Sequence, residues 1–341
     1  MVLDVLVWEP GQGPGVPLAT GGPRTKQMMR LALELRAPGG EPVDLWRTLI
    51  SHGFAGLSPT LLDEENRSLA FTIRVPGGRP RRVRVSEDPG NGSRGGQARL
   101  DVLGPRPGPK VVRAALDGAA HVLRLDQDLS PFYLRAGEDP DLAWAARGAG
   151  RMLRSPTVFE DVVKTVCTTN CAWSATVRMV DALVTHLGEP ALGGDGPLSN
   201  AFPTPAAMAQ VPEAFYKDVV RAGYRGAYLA ALARRVADGG LDLEAFATAT
   251  PEAFPDAQLE DELLALPGVG PYAAAHIMMM LGRHSRLVLD SWTRPKYTRL
   301  AGRKKQVSDR QIERRFRPYG EYAGLAFWLF VTRDWVEDGP G

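Results

Sequence analysis

Cysteine is scarce in this 341-residue chain, which contains only Cys167 and Cys171. Two thiols cannot form a disulfide framework or supply the four thiolates of an iron–sulfur cluster, so we expect core thiols and no such cluster. Long apolar runs are also missing, and the apolar start, residues 2–8, is interrupted by Asp4 and has no basic leader. We therefore expect neither a membrane span nor a secretory signal, and a cytoplasmic location.

The chain has almost no excess charge, with a formal net charge of +2, but its charges are unevenly distributed. Residues 238–262 contain eight acidic and no basic residues, whereas residues 283–317 contain twelve Lys or Arg against three acidic residues. A basic block of this kind attracts a polyanion, most commonly nucleic acid. A solvated basic face is the alternative.

Glycine and proline are concentrated in the first third of the chain, where residues 1–110 hold 30 of the 65. The alternation of Leu31, Leu33 and Leu35 predicts a half-buried strand, and residues 43–52 predict a short helix that Asp44 can cap. Further strands are predicted at 69–75, 82–86 and 99–103, which together predict a small antiparallel sheet. A helix over 110–122 is expected to follow it.

Beyond about residue 130 the apolar period becomes helical. A stripe from Val158 to Cys167 predicts a helix that starts near Pro156 and buries one face. Other helices are predicted around 177–187 and at 213–222, 226–238, 256–265 and 271–281. The length and the 44% hydrophobic content suit about two domains. We predict an α+β fold with an N-terminal segment (1–27), an antiparallel sheet domain (28–130) and a mostly α-helical domain (131–341).

The segment 259–292 carries the clearest motif. A helix ends in Leu266-Pro267-Gly268-Val269-Gly270, and a second helix begins at Pro271, where proline costs no hydrogen bond. The free amides and positive dipole of that second helix suit a phosphate, a contact that positions DNA without reading its sequence. A plain helical hairpin with a glycine turn is the alternative.

Asp290 stands twenty residues after Gly270, at the end of the apolar run 287–289. An acid there is often only a helix cap. The combination of LPGVG, the apolar run and the Asp, however, closely resembles the helix-hairpin-helix DNA glycosylase superfamily, with the hairpin at about 256–282. The resemblance implies that Asp290 is the catalytic carboxylate, that the partner is double-stranded DNA with a damaged base, and that the protein is a monomer, located at the nucleoid if bacterial.

The resemblance extends to other parts of the chain. Residues 159–170 are similar to the helix and loop that enter DNA in 8-oxoguanine glycosylases, which implies that Asn170 fills the gap left by the extruded base; a turn-capping Asn is the alternative. The N-terminal sheet and residues 125–129 resemble the AlkA-type alkyladenine glycosylases. The superfamily divides at the residue two positions after the second hairpin glycine: members with a Lys there form a Schiff base with the sugar and nick the strand, whereas this chain has Tyr272. We therefore expect a monofunctional enzyme without AP lyase activity, with Lys164 as the least implausible substitute nucleophile.

Other candidates are less specific. Residues that could stack on a base or line its pocket, each also a possible core residue, are Tyr272, Trp173, Phe132, Tyr133, Trp292 and His276. Expected phosphate contacts are Pro267, Gly268, Val269, Gly270, Arg294 and Lys296. Pro295 is expected to interrupt any helix that begins at Asp290.

The substrate signals conflict, because the Thr-Thr-Asn loop favours 8-oxoguanine and Tyr272 favours alkylated purines. We favour alkylated purines, since an aromatic pocket suits a cationic base. Oxidised or deaminated purines remain open, as does a non-catalytic protein that binds damaged DNA. No cofactor is expected, and a monovalent cation at the hairpin is left open.

Overall fold

The computed structural model describes residues 28–88 and 96–336. The predicted N-terminal segment 1–27 lies outside the described residues, as does most of the loop between the last two strands. The described part begins with a sheet unit and continues as helices, which confirms the α+β prediction.

The sheet is antiparallel throughout and has the strand order β1-β5-β4-β3-β2. Its strands are β1 (Met28–Glu34), β2 (Leu61–Asp63), β3 (Ser68–Ile73), β4 (Arg81–Glu87) and β5 (Gln97–Leu103). The predicted strands are confirmed, and only the three-residue β2 was missed. A strand of three residues is too short to show a detectable alternation of apolar and polar residues.

Two helices accompany the sheet. The first, α1 (Leu45–Leu49), starts where predicted, because the side chain of Asp44 accepts a hydrogen bond from the backbone amide of Arg47. The second, α2 (Pro109–Val122), buries Ala115, Ala119 and Val122 in the core of the sheet unit. The same core holds the inward-facing residues of β3, β4 and β5.

The remaining helices form two further apolar cores. They are α3 (Ser130–Gly137), α4 (Val158–Thr168), α5 (Trp173–Leu187), α6 (Pro205–Gln210), α7 (Arg225–Ala237), α8 (Ala245–Thr248), α9 (Asp256–Leu264), α10 (Pro271–Met280), α11 (Thr293–Leu300), α12 (Asp309–Phe316) and α13 (Ala323–Thr332). One core surrounds α4, and the other surrounds α13. The helix α10 contributes residues to both, so it lies between them.

Two predicted helical stretches differ from the structure. In the stretch predicted at 213–222, the helix covers only residues 213–219, of which Phe215–Val219 form a short π-helical turn. Pro295 does not interrupt a helix, because α11 begins at Thr293 and places this proline in its first turn. The amides of a first turn have no intrahelical partner, so proline removes no hydrogen bond there.

A buried ion pair ties the sheet unit to the helices. The fully buried Arg151 lies 2.5 Å from Glu41 and also donates to the carbonyls of Arg124 and Gln127 at 2.7 Å. Glu41 in turn accepts a hydrogen bond from the amide of Leu129. These buried contacts connect the segment before α1 with the segments that follow α2 and precede α4.

Candidate active site

A pocket of about 340 Å³ lies where the sheet unit, α4, α10, α13 and the segment around Asp290 meet. This volume is within the range of small-molecule sites. Seven residues singled out in the sequence line it: Asn170, Trp173, Tyr272, His276, Asp290, Trp292 and Arg294. The fold therefore brings together residues that are up to 124 positions apart in the chain.

The helix–hairpin–helix prediction is confirmed by α9, α10 and the turn between them. Gly268 adopts φ +81°, and a Cβ placed on it would lie 2.8 Å from the ring of Tyr228, so only glycine fits without strain. Gly270 has an ordinary backbone conformation, φ −105°, and a Cβ there would meet nothing within 4 Å. The space in front of Gly270 is thus open to a ligand at the N-terminus of α10.

Asp290 is half-buried and precedes α11. Its Oδ1 accepts hydrogen bonds from the backbone amides of Trp292 (2.9 Å) and Thr293 (2.6 Å). The helix-cap interpretation of this residue therefore holds, and the same residue also lines the pocket. Both hydrogen bonds fall on Oδ1, so Oδ2 has no hydrogen-bond partner among the described residues.

Tyr272 lies near Asp290 in the pocket, at the start of α10. Burial raises the pKa of the Tyr272 hydroxyl, and the negative charge of Asp290 adds to this shift. One helical turn further, His276 presents its ring parallel to that of Tyr272, with the centroids 6.0 Å apart. The two rings form one aromatic wall on the same face of α10.

The pocket also contains residues that the sequence analysis did not assign to it. These are His52, Phe54, Thr168, Cys171, Trp328 and Trp335. The turn at 51–54 is fixed from two sides, because the indole of Trp328 donates to the carbonyl of Ser51 (2.8 Å) and the ring of His52 bonds to the carbonyl of Leu153 (2.6 Å). No local pattern marks His52, Phe54, Trp328 and Trp335, since they meet only through the packing of α13 against the sheet unit.

Two of the missed residues extend the aromatic lining. Trp328 lies 6.0 Å from Trp292 and 6.4 Å from His276 between ring centroids, and Trp335 lies 5.8 Å from Trp292. Burial lowers the pKa of His52 to about 4 and that of His276 to about 3, so both imidazoles are neutral near pH 7. Among the described residues, the pocket is therefore lined by aromatic rings and a carboxylate, and its one cation, Arg294, is bound to Asp309 at 2.7 Å.

Asn170 is exposed at the edge of the pocket, after α4. It adopts φ +47°, a left-handed conformation that asparagine tolerates better than most residues. Its side-chain amide donates to the hydroxyl of Tyr224 at 3.4 Å rather than to a neighbouring backbone group. The turn-capping interpretation is therefore not supported among the described contacts.

Three sequence candidates lie elsewhere than expected. Phe132 is fully buried among Tyr133, Tyr319 and Tyr322, and the hydroxyl of Tyr133 donates to the carbonyl of Ala149. Both residues belong to the core around α13 and do not line the pocket. Cys171, expected in the core, lines the pocket instead, whereas burial raises the pKa of Cys167 to about 12.

No lysine of the described residues lines the pocket. Lys164 is fully buried in the core around α4, with its Nζ 2.7 Å from Glu160. Lys296, expected at a phosphate, is also buried and lies 2.9 Å from Asp334. Neither lysine is placed to meet a ligand in the pocket.

Much of the basic block is neutralised by the fold. Arg283 and Arg286 pair with Asp256 and Glu260 of the acidic region, at 2.5 and 2.7 Å. Arg294, Lys296 and Arg315 also have acidic partners. In the part of the chain that the structure describes, the exposed cations of the block without an ion pair are Arg303, Lys304, Lys305, Arg310, Arg314 and Arg317. The positive surface is thus smaller than the sequence suggested.

Two kinds of feature are absent from residues 28–88 and 96–336. No helix there has the length and apolar character needed to span a bilayer. No group of three or more His, Cys, Asp or Glu side chains in these ranges could hold a metal ion.

Comparison with known proteins supports the fold assignment. No protein-family model matches the chain, and no curated protein sequence does. Among solved structures, MBOgg1 in complex with a low-affinity DNA ligand is 18% identical with a TM-score of 0.66, and covers 91% of this chain and 98% of its own. The 3-methyladenine DNA glycosylase of Archaeoglobus fulgidus is 16% identical with a TM-score of 0.65, covering 91% of this chain and 99% of its own.

The 8-oxoguanine glycosylase/lyase of Clostridium acetobutylicum, in complex with DNA that has cytosine opposite 8-oxoguanine, is 21% identical with a TM-score of 0.57. It covers 77% of this chain and 88% of its own. These similarities span both the sheet unit and the helices. The chain therefore has the fold of the helix-hairpin-helix DNA glycosylases that its hairpin and Asp290 resemble.

Proposed function

We propose that the protein is a DNA glycosylase that extrudes a damaged base from duplex DNA into the pocket and hydrolyses its N-glycosidic bond. One observation carries the proposal: Asp290 lines an aromatic pocket that adjoins the hairpin helix α10. A base inside a duplex cannot be reached, so such an enzyme rotates the nucleotide out, at a cost of a few kcal/mol that damage reduces. Asn170, exposed and next to Tyr224 at the pocket edge, is the residue that we propose fills the vacated stack.

The proposed chemistry needs only a carboxylate and water. As the bond between the sugar and the base breaks, positive charge develops on the sugar, and a carboxylate close to it stabilises the transition state. Oδ1 of Asp290 is fixed by two backbone amides, and Oδ2 remains available for the sugar or the attacking water. Water adds to the sugar carbon as the bond to the base breaks, Asp290 takes the proton of that water, and the cationic base leaves as a neutral molecule, so no cofactor takes part.

The protein is proposed to be monofunctional. A strand-nicking glycosylase needs an amine that attacks the sugar, and an amine in a buried pocket is a good nucleophile. Tyr272 stands at the position where the resemblance predicts that amine, and Lys164 is held by Glu160 in the core. We therefore propose that the enzyme releases the base and leaves the abasic site uncut.

Alkylated purines are the proposed substrates. The described pocket combines one carboxylate and many aromatic faces with neutral imidazoles, and a cationic ring is attracted to such an environment. Removal of 8-oxoguanine is the second candidate, favoured by the position of Asn170 at the pocket edge.

The test is release of free base from duplexes that contain alkylated, oxidised or deaminated purines, with strand cleavage measured separately. We expect release from alkylated duplexes, with intact strands until alkali is added. Trapping of a covalent adduct with borohydride would disprove the monofunctional mechanism. Binding to every damaged duplex without any release would favour a non-catalytic damage-binding protein.

A further inference from the structure

His276 differs from the other imidazole of the pocket in its hydrogen bonds. Both nitrogens of His52 have partners, since Nε2 bonds to the carbonyl of Leu153 and Nδ1 accepts from the amide of Phe54. His276 is only 4% exposed, yet its Nδ1 is buried without a partner and its Nε2 has none among the described residues. Of the two nitrogens only Nδ1 is fully enclosed, so Nε2 is the one that a ligand in the pocket can pair with.

Burial keeps the His276 ring uncharged, and the enclosure of Nδ1 determines which of the two nitrogens carries the proton. Because burial keeps this imidazole neutral, it has one N–H and one lone pair. A buried N–H without an acceptor is rarer and costlier than a buried lone pair without a donor, so the proton belongs on Nε2 rather than on the buried Nδ1. The ring therefore presents an uncharged N–H donor to the pocket.

We infer that His276 is a specificity-determining residue, whose Nε2–H donates a hydrogen bond to an acceptor on the edge of the extruded base. This inference rests on the proposed function, because it assumes that a base occupies the pocket. The acceptor is an oxo group or an unprotonated ring nitrogen. A neutral donor does not repel a cationic alkylated base as a lysine or arginine would, so it reads the edge of the base without opposing its charge.

The surroundings of the His276 ring suit this role. The ring stands parallel to Tyr272 and is enclosed by Phe54 (5.1 Å) and Trp328 (6.4 Å), so its orientation is fixed by packing. A donor that is fixed before the ligand arrives loses little conformational entropy on binding. A base that lacks the acceptor would leave this N–H unpaired, which is the basis of strong discrimination by hydrogen-bonding pockets.

The test uses free bases and the fluorescence of the four tryptophans that line the pocket, Trp173, Trp292, Trp328 and Trp335. Quenching is measured with 3-methyladenine, 7-methylguanine, 8-oxoguanine and hypoxanthine, and with their deaza analogues. The matched variants are His276→Gln and His276→Met, which are similar in shape, although only Gln carries an amide donor. His276→Phe is a second comparison that keeps an aromatic ring.

For at least one of the bases we expect His276→Met and His276→Phe to bind about three- to tenfold more weakly than the wild type. His276→Gln should stay within about twofold. If the acceptor is a ring nitrogen, the deaza analogue that lacks it should bind wild type and His276→Met equally, and if it is an oxo group, the deaza analogues should keep the affinity difference. Equal binding by His276→Met and wild type, equal losses in Gln and Met, or no quenching of the wild type by any of these bases would each overturn the inference.

Base release by the wild type separates this inference from the proposed function. If the wild type releases bases from DNA but the variants bind and discriminate bases as it does, only the role of His276 is wrong. If the wild type releases no base, the proposed function is wrong, and the fluorescence comparison still decides whether His276 recognises a base in this pocket.

Discussion

Asp290 and Thr293 hold each other by a reciprocal pair of hydrogen bonds. Oδ1 of Asp290 accepts from the Thr293 amide at 2.6 Å, and Oγ1 of Thr293 accepts from the Asp290 amide at 2.8 Å. This pair fixes the carboxylate at the pocket and starts α11 at the same time. One residue thus combines a structural and a proposed chemical role.

The variant Asp290→Asn tests the structural role and the proposed chemical role of Asp290 separately. Asparagine caps helices as well as aspartate, so we expect the unfolding midpoint and DNA affinity to change little. Base release should fall at least about a hundredfold, because the carboxylate charge is lost. Asp290→Ala should in addition lose about 1 kcal/mol of stability with the cap. Normal turnover by Asp290→Asn would remove this residue from the mechanism.

Tyr272→Lys tests the proposed absence of lyase activity. The new amine would lie in the pocket near Asp290, where burial lowers the pKa of a lysine and makes it nucleophilic. We expect a borohydride-trapped DNA adduct with this variant and none with the wild type. Tyr272→Phe is the control, since it keeps the ring and should give no adduct.

The two hairpin glycines should respond differently to alanine. Gly268→Ala forces a side chain into φ +81° and against Tyr228, so we expect a loss of about 1–3 kcal/mol in the free energy of unfolding. Gly270→Ala meets no atom within 4 Å and should leave stability unchanged. If DNA phosphates approach the N-terminus of α10, Gly270→Ala should nevertheless weaken DNA binding. Equal effects of both changes on stability would contradict this assignment.

The exposed cations after α11 should account for part of the salt dependence of DNA binding. Changing Arg303, Lys304 and Lys305 together to Gln should weaken binding, and should reduce the slope of log affinity against log salt by up to about 2.7, or 0.9 per phosphate contact. Arg286→Gln is the matched control, because Arg286 is already paired with Glu260. An unchanged slope in the triple variant would place this surface outside the interface.

Stability should fall in mild acid. Burial lowers the pKa of four histidines from 6.5 to about 3–4, so the unfolded chain binds these protons first as pH falls below 6.5. They are His52, His121, His276 and His284. Burial has the opposite effect on Asp161, raising its pKa to about 7, so the folded protein keeps one proton that the unfolded chain releases above pH 4.

The net difference near pH 5 is therefore up to three protons, which corresponds to up to about 4 kcal/mol per pH unit. Urea denaturation at pH 7.5, 6 and 5 measures this slope. His284→Phe should reduce it by about one proton, because this histidine lies outside the pocket but is equally buried. A flat profile between pH 6.5 and 5 would show that these imidazoles are not neutral in the folded protein.

The sequence by itself determined the elements with strong local signals. The period-two alternation of β1, the helical stripe of α4 and the Gly-Val-Gly hairpin before Pro271 each depend on neighbouring residues, so they could be predicted without knowledge of the fold. The position of Asp290 followed from the same segment.

The tertiary structure alone decided which side chains share the pocket. His52 and Trp328 are 276 residues apart and reach the pocket only because the sheet unit packs against α13. The sequence predicts Phe132 and Tyr133 as stacking residues as readily as Trp292, but they pack inward among other rings. A linear pattern shows which face of an element is apolar, whereas long-range packing decides whether that face meets a core or a cavity.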